Sequence, residues 1–225
     1  MKTSTIIAGF AVIGSIGIIT AANLKIKSEY TKGNIQSAYN KTKLQPFRFI
    51  KETVDSSIAL PNVRFEVVTG KNDESSFSTY FVRSAPLTFK VINDTLYITS
   101  ELVEKNGNYT DEPIILTTPV LEGVVSTRGS YKIKQQDIKV LSLNAHKTSQ
   151  FTVTANSINR LSLAASDKAG FTIASKNPIE EAMIRIADLG FLTLNDVEIR
   201  KKSIQLDSTV TLTLQKRSIA DFRKE

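Results

Sequence analysis

Cysteine is absent from the 225 residues, tryptophan is absent, and histidine occurs once, as His146. No cysteine means no disulfide scaffold, no thiolate metal site, no cysteine nucleophile and no lipid-modified N-terminal cysteine. A lone histidine leaves no multi-histidine metal centre and little histidine-based acid–base chemistry. Glycine is sparse, at 10 residues, and none of the glycines precedes a Lys-Ser or Lys-Thr pair, so the chain has no phosphate-cradling loop. No DxDxDG calcium loop occurs, and Tyr30 and Tyr39 are too sparse a set of aromatics beside the basic residues to form a nucleic-acid platform. Neither a cofactor nor a metal is expected, nor is nucleic acid a partner.

What is present begins with an uncharged run of 17 residues, from Ile6 to Ala22, preceded by Lys2. That length lies between a secretory apolar core and a membrane-spanning helix. Residues 1–24 read as an uncleaved transmembrane signal anchor; Thr20-Ala21-Ala22 offers the alternative of cleavage after Ala22. Residues 25–46 are polar, carry Lys25, Lys27, Lys32, Lys41 and Lys43, and read as a juxtamembrane linker, a solvated stalk that can also touch anionic headgroups. The membrane is thus an expected partner through the N-terminal helix.

From Phe47 the pattern has period two. Val63, Phe65 and Val67 alternate with Arg64 and Glu66, and Leu87, Phe89 and Val91 with Thr88 and Lys90, before an Asn93-Asp94 turn that leads into Leu96 and Ile98. Such alternation, dense in β-branched and aromatic residues, predicts half-buried strands over residues 47–118, with a loop at 101–113.

Residues 119–215 contain a repeat. LSLNAHKTSQFTV at Leu141 recurs twenty residues later as LSLAASDKAGFTI at Leu161, and IRIADLGFLTL at Ile184 recurs as IQLDSTVTLTL at Ile204. The step between the two pairs is longer, which Pro178 and Glu180-Glu181 explain as a loop insertion. Each unit holds two short alternating strands and lacks the fixed Asn or Cys of a leucine-rich repeat, so the units predict stacked coils of a β-solenoid spanning residues 47–220 before a tail at 221–225. One wall is expected to carry Leu121, Leu141, Leu161, Ile184 and Ile204; the other, Tyr131, Phe151 and Phe171. Ser142, Ser162, Thr152 and Thr172 are expected to point outward.

The N-terminal MKTS anchor, the AANLKIKSEYTKGN stretch, the strands PNVRFEVVTG and LTFKVINDTLYITSE, and the short-strand rungs resemble the head-GIN-domain group of bacterial envelope proteins, autotransporter-adhesin-like chains of the Bacteroidetes. The likeness covers about residues 47–215. It implies an all-β, right-handed parallel β-helix-like solenoid outside the cytoplasm, and it carries no catalytic signature.

Catalytic residues are accordingly not expected. His146 reads as an exposed turn residue, with no Ser or Asp at a diagnostic spacing. Asp188, Asp196, Glu198 and Asp207, with Glu180 and Glu181, are the set to examine for paired carboxylates, since such pairs serve polysaccharide cleavage or calcium. The Arg128-Gly129-Ser130 and Asn106-Gly107 segments read as turns. The expectation is a non-enzymatic binding or structural module of the bacterial envelope, with its β-domain in the periplasm or at the cell surface and a glycan or envelope protein as ligand. The alternatives are a polysaccharide-active enzyme using surface carboxylates and a membrane-anchored sensor domain. The binding residues themselves are not legible.

Overall fold

The structure is a computed structural model that describes residues 20, 23–25, 39–53, 63–70, 73–80, 87–100, 112–135 and 137–222. The chain divides into a unit Met1–Ala38 and a unit Tyr39–Glu225. In the first unit the described residues 20 and 23–25 are helical. Apart from residue 20, the expected anchor run lies outside the described residues, as does most of the expected 101–113 loop. Among the described residues no helix is long and apolar enough to cross a membrane.

In the second unit the described residues form seventeen strands in two sheets, with a C-terminal helix at Arg217–Phe222. Five solenoid turns run in chain order. They are β8 (Gly123–Ser126) with β9 (Ser130–Lys134), β10 (Asp137–Ala145) with β11 (Gln150–Ala155), β12 (Ser157–Ala165) with β13 (Gly170–Ser175), β14 (Ile179–Ile186) with β15 (Phe191–Asn195), and β16 (Ile199–Leu206) with β17 (Thr211–Gln215). Even-numbered strands stack in parallel in one sheet and odd-numbered strands in the other. Because side chains alternate faces along a strand, parallel in-register stacking lines like residues into ladders between the sheets.

The aromatic ladder is in the expected place. Tyr131 faces Phe151, and Phe151 faces Phe171. Their rings stack at 5.2 and 5.7 Å, and Phe65 adds a fourth ring 4.7 Å from Tyr131.

The aliphatic wall differs from the expected one. Leu141 faces Leu161 and Ile184 faces Ile204, but Leu161 faces Ala182, and Ile184 faces Leu163. The extra residue enters at the turn before β14, so Glu180 and Glu181 are strand residues rather than parts of an inserted loop. Leu121 is buried, yet it precedes β8, in which Val124 faces Leu143. The ladder therefore reads Val124, Leu143, Leu163, Ile184, Ile204.

The N-terminal third departs most from a simple coil. β2 (Phe49–Thr53) and β3 (Arg64–Thr69) form one parallel rung, and β6 (Thr95–Ser100) and β7 (Ile114–Thr118) another. The stack is not in chain order: β2 lies between β6 and β8, and β3 lies between β7 and β9. β1 (Tyr39–Lys43) and β4 (Ser76–Tyr80) add antiparallel strands beyond β7, and β5 (Leu87–Ile92) adds one beyond β6. Phe77 of β4 and Phe89 of β5 stack at 4.2 Å and close this end of the core. The β5–β6 hairpin turns on Asn93 and Asp94, both with positive φ, as a two-residue turn of this hand requires. Tyr39–Lys43, within the stretch read as linker, is a strand because its backbone completes the open edge of β4.

Candidate binding cleft at the rung crossover

The out-of-order rung creates a corner that a regular solenoid lacks. From β9 onward each odd strand turns straight into the even strand of the next rung. After β3 the chain instead leaves for β4, so the β2–β3 rung has no return turn. The segment from Thr118 to Gly123 must carry the chain from β7 to β8, which flank that rung on opposite sides. Hydrogen bonds fix this crossover against both ends of the rung. Gly70 N donates to Thr118 O (2.9 Å), Glu122 N to Arg48 O (2.8 Å), and the Thr118 hydroxyl to Phe47 O (2.5 Å). Gly70 is required here, since a Cβ would stand 2.3 Å from the Glu74 carbonyl oxygen.

Beside the crossover lies a cleft of about 810 Å³, lined by Arg48, Thr69–Gly70, residues 119–122, Gln135 and residues 137–140. Its apolar surface comes from Pro119, Val120, Leu121, Ile138 and Val140. Leu121 and Ile138 are buried, while Val120 and Val140 are 47% and 45% exposed. The rim is polar and charge-balanced: Arg48 pairs with Glu122 at 2.8 Å, Asp137 accepts a hydrogen bond from the Ser157 hydroxyl at 2.6 Å, and Lys139 stands beside them. Gln135 is 7% exposed, and its Nε2 has no hydrogen-bond partner among the described residues.

A second polar constellation is closed. Glu52, 1% exposed, turns inward from β2 and fills the turn between β8 and β9. Its Oε2 accepts from the Ser126 hydroxyl (2.5 Å) and from Thr127 N (3.1 Å), Arg128 N (3.3 Å) and Gly129 N (3.0 Å). Successive backbone N–H groups in a tight turn make an anion-binding concavity, here occupied by the protein's own carboxylate. Gly129 permits the approach, because a Cβ would lie 2.7 Å from the Tyr131 ring. Burial, and behind it the Glu52 charge, hold the Tyr131 hydroxyl well above the usual phenol pKa.

The surface carboxylates are brought to different corners. Asp196 pairs with Arg217 (2.8 Å), Glu180 with Arg200 (2.9 Å), and Glu181 lies 3.5 Å from Arg160. Asp207 shares a corner with Asp188, but its carboxylate accepts from Asp188 N (2.8 Å) and the Thr209 hydroxyl (2.5 Å) as a turn cap. The Thr209 hydroxyl first, and then these backbone N–H groups, hold Asp207 below its ordinary range, and Arg217 does the same for Asp196. Carboxylates lowered in this way are ionised acceptors rather than proton donors near neutrality. No group of three or more metal-ligating side chains converges among the described residues.

His146 Nδ1 lies 3.2 Å from the Ser166 hydroxyl, which is 3.2 Å from Asp167. In a catalytic triad the carboxylate orients the imidazole; here it accepts from the serine beside it in the chain, and His146 simply stacks on Ser166 of the next turn. Ser142 faces Ser162, and Thr152 faces Thr172, on the outer faces as expected. Among the basic residues after the apolar run, Lys41 pairs with Glu74 at 2.8 Å, and the Lys51 Nζ lies 6.0 Å from the centroid of the Tyr97 ring.

Neither Gln135 nor the Val120–Val140 pair stood out in the sequence. Each belongs to an ordinary polar or alternating stretch, and only the displaced rung brings them together.

No protein-family model matches the chain, and no curated protein matches it in sequence. Among solved structures, it is similar to a candidate adhesin from Parabacteroides merdae, at 10% identity and a TM-score of 0.44, over 79% of this chain and 94% of that one. It is also similar to a candidate lipid-binding protein from Parabacteroides distasonis, at 14% identity and a TM-score of 0.42, over 79% and 96%. A candidate adhesin from Bacteroides fragilis is similar at 12% identity and a TM-score of 0.39, over 79% and 95%. No residue role passes from these proteins to this chain.

Proposed function

We propose that the chain is a non-enzymatic binding module of the bacterial envelope and that the crossover cleft is its ligand site. One observation carries the reading: an open cleft with an apolar floor and a polar rim lies where the stacking order of the strands breaks. Ligands favour such topological switch points, because a regular sheet leaves no depression and an interrupted one does. The cleft offers recognition rather than chemistry, since its own carboxylates, Glu122 and Asp137, are engaged by Arg48 and Ser157, and His146 lies at another corner.

The finer reading is a right-handed solenoid, as parallel crossovers within a sheet strongly favour. It is anchored by residues 1–24 with the β-domain in the periplasm or at the cell surface, and its adhesin-like ligand is taken from the envelope. The uncharged run of residues 6–22 supports the anchor.

Absence of native cysteine makes the site easy to probe. Val140→Cys labelled with an environment-sensitive fluorophore is expected to respond saturably to a bound ligand from a panel of envelope oligosaccharides, peptides and amphiphiles. Leu189→Cys, at an exposed turn between β14 and β15, is expected to stay silent. Equal responses at both positions, or calorimetric binding without a response at Val140, would place the ligand elsewhere.

A further inference from the structure

We infer that the cleft recognises a neutral acyl amphiphile, an unbranched hydrocarbon chain ending in an ester or amide carbonyl. The inference rests on the cleft being the ligand site and adds the ligand's chemistry. Three features fix that chemistry.

The first is the apolar surface. Pro119, Val120, Leu121, Ile138 and Val140 supply aliphatic contacts, and among the described residues no aromatic side chain lines the cleft to stack on a sugar ring or a base. Burying an alkyl chain there removes methylenes from water, which favours the complex more with each one buried.

The second is charge. Arg48 and Lys139 are balanced by Glu122 and Asp137, and Arg48 is already committed to Glu122. A net-charged head brought against apolar walls would lose hydration without gaining an uncompensated countercharge.

The third is Gln135. Its buried Nε2 has donors and no acceptor among the described residues, and leaving a buried donor unsatisfied is costly. That nitrogen is closed to solvent in the structure, so a ligand carbonyl supplies the missing acceptor once the Gln135 amide turns toward the cleft.

The test uses the full chain in lipid nanodiscs, titrated calorimetrically with octanoylglycerol, octanoate and octyltrimethylammonium, with empty discs as blanks. Saturable binding of octanoylglycerol is expected, at least tenfold tighter than either charged analogue. Gln135→Met keeps the side-chain volume but cannot donate. It is expected to weaken binding at least tenfold while leaving the melting temperature within a few degrees. Val140→Lys is expected to abolish binding.

Equal affinity for a charged analogue, or full affinity in Gln135→Met, would overturn the assignment. If octanoylglycerol gives no saturable heat while the Val140 fluorophore responds to an oligosaccharide or peptide, the acyl assignment falls and the cleft stands. A Val140 probe that stays silent toward every ligand the protein binds removes the cleft itself.

Discussion

Glu52→Ala is expected to lower the free energy of unfolding by about 3 kcal/mol, since the half-buried Thr127 and Arg128 N–H groups lose this acceptor, buried Gly129 N keeps only the Ser126 hydroxyl oxygen, and a buried donor left unsatisfied costs about 1–3 kcal/mol. At roughly 2–4 °C per kcal/mol for a domain of this size, the melting temperature falls by about 10 °C. The cause is the fit between a carboxylate and a turn that points four donors at one of its oxygens. Ser126 Oγ and the N–H groups of Thr127, Arg128 and Gly129 all point at one oxygen. Glu52→Gln retains the shape but can place an NH₂ among those donors, so its loss falls between wild type and Glu52→Ala. Glu198→Ala, at an exposed corner, is expected to change stability by no more than about 0.5 kcal/mol. Thermal and urea unfolding followed by circular dichroism measure all three. A Glu52→Ala protein as stable as Glu198→Ala would mean that the turn N–H groups find other partners.

Leu163→Asp is expected to be at least as damaging. Leu163 is 1% exposed and stands between Leu143 and Ile184 in the aliphatic ladder. The substitution removes a buried side chain, for which truncation alone costs about 2–5 kcal/mol, and puts a carboxylate where no donor waits. Its difference from Glu52 is instructive: both positions face the core, but only Glu52 meets a turn built to receive a charge. Most of the chain is expected in the insoluble fraction or unfolded at 25 °C. Leu163→Ala, which leaves a cavity without a charge, is the graded control and is expected to fold with the smaller loss. A soluble Leu163→Asp protein with wild-type stability would contradict burial of this ladder.

The part of the fold that could be read from sequence is the part in which neighbours in space are one repeat apart. Tyr131, Phe151 and Phe171 stack because each turn adds twenty residues, and a twenty-residue self-match exposes that directly. The match fails where a turn changes length. Ile184 slides from Leu161 to Leu163, and since that shift is two residues, both leucines still face inward and period-two reasoning cannot register the error. It fails altogether at the β2–β3 rung. Alternation shows that Ile50 and Phe65 face a core, but it is silent on which rung they touch, and the neighbours of β2 come from residues 95–100 and 123–126.

Glu52 was invisible for a related reason. A glutamate in an alternating strand reads as an outward residue until the turn that binds it, more than seventy positions away, is placed above it. The same long-range placement assembles the cleft from Arg48, the Thr69–Gly70 exit, the 119–122 crossover and the start of β10. The carboxylates picked out in the sequence were near one another in number, yet alternate corners of the coil separate Asp196 and Glu198 from Asp188 and Asp207.

The cleft exists only if the β2–β3 rung lies between two rungs that follow it in sequence, and oxidative cross-linking of paired cysteines tests that order most directly. Lys51, Tyr97 and Val125 occupy equivalent positions on adjacent strands, with Lys51 in register with both others. Lys51→Cys combined with Val125→Cys is expected to cross-link efficiently within one chain. Tyr97→Cys combined with Val125→Cys is expected to stay reduced, because those positions are two strands apart, roughly 9–10 Å at the usual strand spacing. The reverse result, cross-linking of the Tyr97–Val125 pair and none of the Lys51–Val125 pair, would show rungs stacked in simple chain order and would remove both the crossover and the cleft beside it.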